Sequence, residues 1–260
     1  MTRPRNYLDY LNPTTAKMWR CGLGNDYDFK RETMFALNPD IDSNTVPELV
    51  WGQGGNLALV SAAGAVSVVS ASANDAAAGT GARTIRVTGL DASYFEVSET
   101  VTLNGTTPVS LTATMLRINR VEVLTAGSGE VNAGAITASI GATVVTSIPA
   151  GAGICQTALF TVPADYDKAL LVNIFVSVSS NSAASGVVNL VKRSSSGVRQ
   201  TIVSYALDTY GNNFVERNLM EAPIVLEPKT DLWAIVTSAT ANKVAVAANW
   251  KLLLVKKSPE

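Results

Sequence analysis

Acidic residues are the side chains of this sequence best suited to catalysis or metal binding, because the chain contains no histidine. Histidine is the commonest general base and metal ligand at neutral pH. Its absence excludes Ser-His-Asp and Cys-His catalysis, as well as zinc sites that use histidine. Carboxylate pairs, lysine chemistry and Ca²⁺ or Mg²⁺ sites remain, and each of these depends on how the carboxylates are spaced.

Two groups of acidic residues come closest to such spacing. Glu96 and Glu99 lie in one alternating segment at positions i and i+3, so they point to opposite faces of a strand and do not form a glycosidase pair. Asn25, Asp26 and Asp28 offer oxygen ligands but lack the glycine and the distal glutamate of an EF-hand loop. We therefore predict a non-enzymatic protein with no catalytic residue, no cofactor and no metal site.

Glycine-rich motifs occur at Gly79-Thr80-Gly81 and at Gly127-Ser128-Gly129. A loop that cradles phosphate needs its glycines at the N-terminus of a helix, where backbone N–H groups point at the anion. Neither motif precedes a helical pattern. Both are therefore predicted to be turns between strands.

The charge balance excludes several classes of partner. The chain has 20 basic and 21 acidic residues, and its longest basic run is Lys256-Lys257, so no nucleic-acid partner is expected. No apolar stretch reaches the roughly 18 residues of a membrane span, and no apolar run follows the first residues, so neither a membrane partner nor a secretory signal is expected. We expect the protein to be made in a cytoplasm and kept there until it assembles.

Cys21 and Cys155 are the two cysteines, and they lie in dissimilar surroundings without C-x-x-C spacing. Reduced, half-buried thiols are the favoured interpretation in a reducing compartment. A single bridge between them is the alternative.

The pattern of side chains is that of β-strands from about Leu57 onward. Hydrophobic residues make up 47% of the chain and charged residues 16%. Thr84–Thr88 and Phe95–Leu103 alternate strictly, which indicates strands with one wet face. Leu116–Val123 alternates with a slip near Asn119, which predicts a bulge. Asn104-Gly105 is typical of a turn in which both residues need positive φ.

The second half of the chain continues in the same way. Ala169–Val178 is apolar throughout and predicts a central strand, whereas Val187–Lys192 and Arg199–Ala206 predict a hairpin around Ser194–Gly197. Three further strands are predicted, at Leu232–Thr237, Lys243–Ala248 and Trp250–Val255. The whole pattern predicts an all-β fold with a β-sandwich or jelly-roll-like body over residues 56–260. Gly151-Ala152-Gly153 marks a seam near residue 150, between two domains or between two sheets of one domain.

Residues 1–55 differ from the body in their many aromatic, proline and charged residues. No long periodic element is indicated, although Arg31–Leu37 fits a short helical turn, so we predict an extended N-terminal arm. Its aromatic side chains need a place to be buried, either on the core of their own domain or on a neighbouring subunit. The candidate residues for a protein interface are Tyr7, Tyr10, Trp19, Arg20, Tyr27, Phe29, Phe35 and Trp51.

One part of the body carries a resemblance. The matching stretches are Ser72-Ala-Asn-Asp-Ala-Ala-Ala-Gly-Thr-Gly81 with its continuation to Asp91, then Glu96–Thr107, Arg117–Arg120, Thr125–Gly129 and Phe160-Thr-Val-Pro-Ala-Asp-Tyr166. Together they resemble a segment common in virion structural proteins of tailed phages, including cyanophages. The resemblance covers about residues 70–205. It implies a particle component without catalytic residues: a capsid cement or decoration protein, a head fibre or a tail part.

The leading hypothesis is a capsid cement protein on the surface of the virion. The resemblance implies the major capsid protein and further copies of the chain as partners, with a trimer favoured over a dimer. The alternative is a head-fibre or tail-associated protein that binds a host surface glycan through exposed aromatics and amides. The candidate residues for that role are Tyr94, Tyr205, Tyr210, Asn212 and Asn213. A polysaccharide-cleaving enzyme is disfavoured because the carboxylates do not cluster.

Overall fold

The computed structural model describes residues 29–42, 46–56, 59–181, 183–211, 213–239 and 244–257, with backbone alone for 237–239. Within these ranges every regular element is a strand, which confirms the predicted all-β fold. No helix in the described ranges is long and apolar enough to cross a membrane. The strands are β1 (Phe29–Ile41), β2 (Glu48–Leu49), β3 (Gly64–Ser70), β4 (Ala82–Leu90), β5 (Glu96–Thr102), β6 (Val109–Met115), β7 (Arg117–Ala126), β8 (Ile136–Ile140), β9 (Thr143–Ile148), β10 (Leu159–Thr161), β11 (Tyr166–Ser179), β12 (Ser185–Arg193), β13 (Arg199–Asp208), β14 (Phe214–Asn218), β15 (Ile224–Leu226), β16 (Asp231–Ala239) and β17 (Val244–Lys256).

The strands surround two large hydrophobic cores and one small apolar cluster. We call the part built from β1, β2 and β10–β17 the main lobe, and the part built from β3–β9 the inserted lobe, because it lies in the chain between β2 and β10. The chain leaves the inserted core after Cys155 and enters the main core at Ala158. This change of core lies close to the glycine-rich segment Gly151–Gly153.

Eight strands of the main lobe pair in a nested order. β1 pairs with β17, β10 with β16, β11 with β14 and β12 with β13, all antiparallel. These ladders join into two sheets with strand orders β1-β17-β11-β14 and β10-β16-β12-β13, to which β15 and β2 add short edges. Leu171 and Trp250 from the first sheet and Leu190 and Ala234 from the second belong to one core. Burial of each large apolar side chain there contributes about 1.5–3 kcal/mol.

The inserted lobe contains the sheets β6-β3-β8-β9 and β5-β4-β7 around a core that includes Ile85 and Met115. The bulge predicted near Asn119 is confirmed, since Arg120 lies opposite Thr88 and Ile118 opposite Gly89. Asn119 itself is thereby left without a ladder partner. A bulge re-aims the side chain of its extra residue, and the amide of Asn119 reaches the main lobe.

The segment Ser72–Gly81, whose sequence is the most distinctive of the chain, contains the buried carboxylate of Asp75. Its side chain is fully buried and accepts hydrogen bonds from Ser70 Oγ at 2.5 Å and from the backbone N–H groups of residues 82, 133 and 134 at 2.7, 2.8 and 2.9 Å. Burial alone would raise the pKa of this carboxyl, but the four hydrogen bonds outweigh it and hold the pKa below its usual value. A Cβ on Gly81 would lie 2.1 Å from Asp75 Oδ1, so this glycine is required for packing.

The irregular arm predicted for residues 1–55 is wrong for Phe29–Ile41, which forms β1 and pairs along β17 in the main lobe. The helical turn predicted at Arg31–Leu37 is wrong for the same reason. The sequence pattern did not indicate this strand, because Lys30 and Glu32 share a face with the core residue Met34. Polar and apolar residues therefore occur on the same side of the strand. Residues 1–28 of the predicted arm lie outside the described residues.

Most strands of the second half were placed correctly by pattern. β11 lies between β17 and β14, as the apolar run Ala169–Val178 predicts, and β12 and β13 form the predicted hairpin. The two strands predicted at Lys243–Ala248 and Trp250–Val255 are instead the single strand β17. Asn249 does not interrupt it, because its side chain points away from the core.

Candidate functional site

One sheet of the main lobe exposes an aromatic outer face. Ala248 and Trp250 of β17 are in the core, so Asn249 between them points outward, and the same alternation applies along β1, β11 and β14. The register places two rows across the four strands on this outer side. We call them the aromatic face: Phe35, Asn249, Phe175 and Glu216 in one row, and Leu37, Ala247, Ser177 and Phe214 in the next.

The aromatic face is mostly apolar and has one charged residue among its eight. Phe35 is 40% exposed and Phe214 is 59% exposed, and the rings of Phe175 and Phe214 stack with centroids 6.3 Å apart. Glu216 is its single acidic member and accepts a hydrogen bond from Asn173 Nδ2 at 3.2 Å. Single exposed apolar residues are ordinary, but a contiguous group of them marks an interaction site. The face therefore has the chemistry of protein contact.

An unpaired polar atom lies in the middle of this face. Asn249 Oδ1 is buried and makes no hydrogen bond with any residue that the structure describes, although Phe35 and Phe175 flank Asn249 in the register. A buried acceptor without a donor costs about 1–3 kcal/mol. Water does not reach this oxygen, so a donor from a second molecule would reach it only if the neighbouring side chains moved.

The residues predicted to form a protein interface differ in where the structure places them. Phe35 lies on the aromatic face, whereas Phe29 and Trp51 are only 9% and 5% exposed, which favours for these two the alternative of burial within their own chain. Trp51 belongs to a small apolar cluster of the main lobe, and its Nε1 donates to the carbonyl of Gly54 at 2.7 Å. The remaining predicted residues lie outside the described part of the chain: Tyr7, Tyr10, Trp19, Arg20 and Tyr27.

Two aromatic residues of the face, Phe175 and Phe214, were not predicted from the sequence. Phe175 lies inside an apolar run in which the inward and outward positions look alike. Phe214 lies in β14, whose sequence Phe-Val-Glu-Arg-Asn is too short and polar to indicate a strand. The available signal was the alternation Phe175-Val176-Ser177, which assigns Phe175 to the outer face once Val176 is in the core.

A buried ionic cluster joins the two lobes. Arg117 of β7 donates to Asp231 of β16 through Nε at 2.8 Å and Nη2 at 3.2 Å, and both side chains are only 3% exposed. Asp231 also pairs with Arg193 at 2.9 Å and accepts a hydrogen bond from Thr161 Oγ1 at 2.6 Å. Asn119 exchanges two hydrogen bonds with the backbone of Thr161, at 2.8 and 2.9 Å. The cluster fixes the orientation of the inserted lobe on the main lobe.

A charged cleft of about 380 Å³ lies beside this joint, between β1 and the sheet β5-β4-β7. Its carboxylates are paired: Glu96 with Lys30 at 2.8 Å, Glu32 with Lys30 at 3.1 Å, and Glu122 with Arg86 and Arg120. Burial would raise the pKa of Glu122, but these two guanidinium groups hold it below its usual value. A general base needs a carboxylate that can take up a proton near neutral pH. The cleft therefore has the character of a structural contact between lobes.

Metal-binding geometry is likewise not assembled within the described ranges, where no group of three or more acidic or cysteine side chains could hold an ion. Cys155 is a free and buried thiol, and burial raises its pKa. Cys21 lies outside the described residues. The cysteine accordingly behaves as a core residue of the inserted lobe.

The residues proposed for glycan binding lie on different elements. Tyr94 is in the turn between β4 and β5, with φ 69°, and its ring lies 5.6 Å from Lys229 Nζ. Tyr205 packs against the main core, whereas Tyr210 beyond β13 is 81% exposed. Asn213 is exposed in the same loop as Tyr210, and Asn212 lies outside the described residues. Tyr210 with Asn213 is the pair that could contact a sugar.

Comparison with known proteins yields little. No protein-family model matches the chain, and no curated protein matches it either. A structure of infectious bursal disease virus, Gt strain, aligns over 89% of this chain and 78% of that chain, with 10% identity and a TM-score of 0.18. The Gx strain structure aligns over 98% and 84%, with 11% identity and a TM-score of 0.12. TM-scores this low carry no structural argument.

Proposed function

We propose that this protein is a non-enzymatic structural subunit of a virus particle and acts as a capsid cement or decoration protein of the tailed-phage type. The observation that carries the proposal is the nested strand pairing of the main lobe. When the edge strands β2 and β15 are set aside, the first of the eight remaining strands pairs with the last, the second with the seventh, the third with the sixth and the fourth with the fifth. From this wrapping of a paired ribbon into two sheets we infer a jelly roll, an architecture of viral capsid and lectin domains.

Because fold does not imply function, three other features support the choice among jelly-roll proteins. The sequence over about residues 70–205 resembles virion structural proteins of tailed phages. The aromatic face is suited to protein contact, and the carboxylates of the charged cleft are held in ion pairs. A particle subunit needs a surface for protein contact and has no use for catalytic carboxylates.

The aromatic face is proposed to pack against a second copy of this chain. Interface cores lose charged residues and gain aromatic ones, and permanent homo-oligomer interfaces resemble a domain core cut in half. The two rows contain Phe35, Phe175 and Phe214 and a single charged residue, Glu216. A trimer is expected in preference to a dimer, as the resemblance implies.

Sedimentation tests this assembly. Phe214→Lys and Phe35→Lys place a charge on the face and should reduce the native mass from oligomer to monomer. Phe95→Lys is the matched control, since Phe95 is 49% exposed but belongs to the inserted lobe. If all three variants keep the mass of the wild type, or if the wild type is itself a monomer, the aromatic face does not assemble copies of the chain.

The segment before β1 is proposed to bind the major capsid protein. It contains Tyr7, Tyr10, Trp19, Arg20 and Tyr27, and aromatic and arginine side chains dominate the binding energy of interfaces. A truncation that tests this must stop before Phe29, because removing residues 1–50 would also delete β1 and β2 from the main sheets. Deletion of residues 1–27 should leave a folded oligomer that no longer co-sediments with capsids stripped of the native protein. Full occupancy by the truncated protein would contradict the proposal.

A glycan-binding fibre or tail protein is the second candidate, favoured by the open ring of Tyr210 beside Asn213 and by the occurrence of jelly rolls among lectins. Electron cryomicroscopy of the intact particle separates the two. A cement protein occupies positions all over the shell, whereas a fibre or tail protein occupies a few positions at one vertex. Density confined to the tail would rule out the cement role.

A further inference from the structure

A second pocket lies on the outer face of the sheet β10-β16-β12-β13, on the side remote from the main core. It has a volume of about 490 Å³. Leu49, Trp233 and Ile235 belong to the small apolar cluster that borders it, and all three are buried. Its other lining residues are Pro47, Asn56, Leu59, Arg193 and Arg199. The pocket is thus apolar on one side and basic on the other.

The basic side follows from one row of residues across the sheet. The register places Arg199 of β13 opposite Arg193 of β12, and Arg193 opposite Asp231 of β16. Like charges directly opposite each other on neighbouring strands destabilise a sheet. Asp231 compensates Arg193, but it already binds the buried Arg117 as well. Two guanidinium groups therefore share the carboxylate of Asp231, and Arg199 adds a third positive charge that this carboxylate does not pair with.

Arg199 is the guanidinium that remains for a ligand. It is exposed, its Cζ lies 5.4 Å from the centre of the Trp233 ring, and no acidic side chain of the described residues pairs with it or lines the pocket. Stacking on an indole holds the guanidinium in place, which lowers the entropy lost on binding an anion. The geometry thus offers a pre-positioned cation next to an apolar surface.

We propose that this pocket binds an apolar group that carries a carboxylate. The carboxylate would accept hydrogen bonds from Arg199 in the charge-assisted, two-pronged geometry that guanidinium favours. The apolar group would contact the half-buried Leu59 and the accessible part of the Trp233 ring, and the volume falls in the range of ligand pockets. Two sources have this chemistry: a free amphipathic acid and the carboxyl-terminal residue of a partner polypeptide.

Calorimetric titration of the full-length protein with defined probes tests the proposal. The probes are octanoate, octylamine, the peptide acetyl-Gly-Leu-Leu with a free carboxylate and the same peptide as its amide. At least one acid should bind, and the amine and the amide should bind about tenfold more weakly or not at all. Binding of the peptide acid alone identifies a polypeptide terminus as the source, whereas binding of octanoate identifies a free acid.

Variants then show whether the binding is at this pocket. Arg199→Gln should weaken the acid about tenfold or more, and Asn56→Asp, which adds a negative charge to the lining, should weaken it as well. Lys192→Gln is the matched control, because it removes one positive charge from the neighbouring position on the opposite face of β12. No binding of either acid, equal binding of acid and amide, or equal affinity of Arg199→Gln and Lys192→Gln would overturn the proposal.

Discussion

Replacement of Asp231 by asparagine should remove about 4 kcal/mol from the free energy of unfolding, because it breaks a buried ion pair by removing one partner. Asp231 and Arg117 are each 3% exposed, so little water reaches either group. The substitution leaves the Arg117 guanidinium without its counter-ion and beside Arg193, which lost the same partner. The loss is a large share of the roughly 5–15 kcal/mol that stabilises a typical protein.

A matched substitution in an exposed ion pair provides the control. Arg86 pairs with Glu122 through a side chain that is 47% exposed, and such pairs contribute about 0–1 kcal/mol. Arg86→Met should therefore shift the urea midpoint only slightly, as followed by far-ultraviolet circular dichroism. Asp231→Asn should shift it strongly while the dependence on urea concentration stays the same.

A double-mutant cycle isolates the pair itself. In an Arg117→Met background the loss caused by Asp231→Asn should be smaller by about 1 kcal/mol or more, because no buried cation is then left without its partner. If Asp231→Asn and Arg86→Met each cost less than about 1 kcal/mol, the cluster is not excluded from water and the reasoning is refuted.

Three further predictions concern the inserted lobe. Asp75→Asn should lower the free energy of unfolding by about 3 kcal/mol, since it removes the charge that accepts four hydrogen bonds. Because the pKa of Asp75 is lowered in the folded state, this carboxylate stabilises the fold fully above pH about 4 and less as the pH falls further, so the stability of the variant should depend less on acid pH than that of the wild type. Gly127→Ala places a Cβ 2.3 Å from a backbone carbonyl and should cost about 2 kcal/mol, whereas Gly52→Ala, with its nearest neighbour at 3.6 Å, should cost little in the same denaturation assay. In a Cys21→Ser background, Cys155 should resist iodoacetamide until the protein is unfolded, because the thiol is buried and its pKa is raised; alkylation of the native protein, detected by mass spectrometry, would contradict this.

The all-β fold was predictable because many strands have one wet face. Phe95–Leu103 and Thr84–Thr88 alternate in the sequence and form β5 and β4 as neighbours. The pairing of β1 with β17 was not predictable, since Phe29 and Val255 are joined by register and by no local signal. β1 was missed because Lys30 and Glu32 face the other lobe, where ion pairs replace the apolar contacts that a pattern search expects.

The candidate surface was predictable only in part, for a similar reason. Phe35 was singled out as an aromatic residue of a supposed arm, whereas its exposure follows from its position on the outer side of β1. Phe175 and Phe214 join Phe35 on one face only after β17, β11 and β14, all distant from β1 in the sequence, have paired. The bulge at Asn119 was visible as a slip in alternation, but its partner Thr161 belongs to the other lobe and leaves no local trace.

The pairing of β1 with β17 also sets an order of events during synthesis. β1 emerges from the ribosome early and must wait for β17, while the inserted lobe closes contacts within residues 60–155 and can fold in the interval. The aromatic face needs β1, β17, β11 and β14 together, so it exists only after β17 has docked. Nascent chains consequently lack the surface through which finished subunits are proposed to associate. The topology delays assembly until each subunit has completed its own fold.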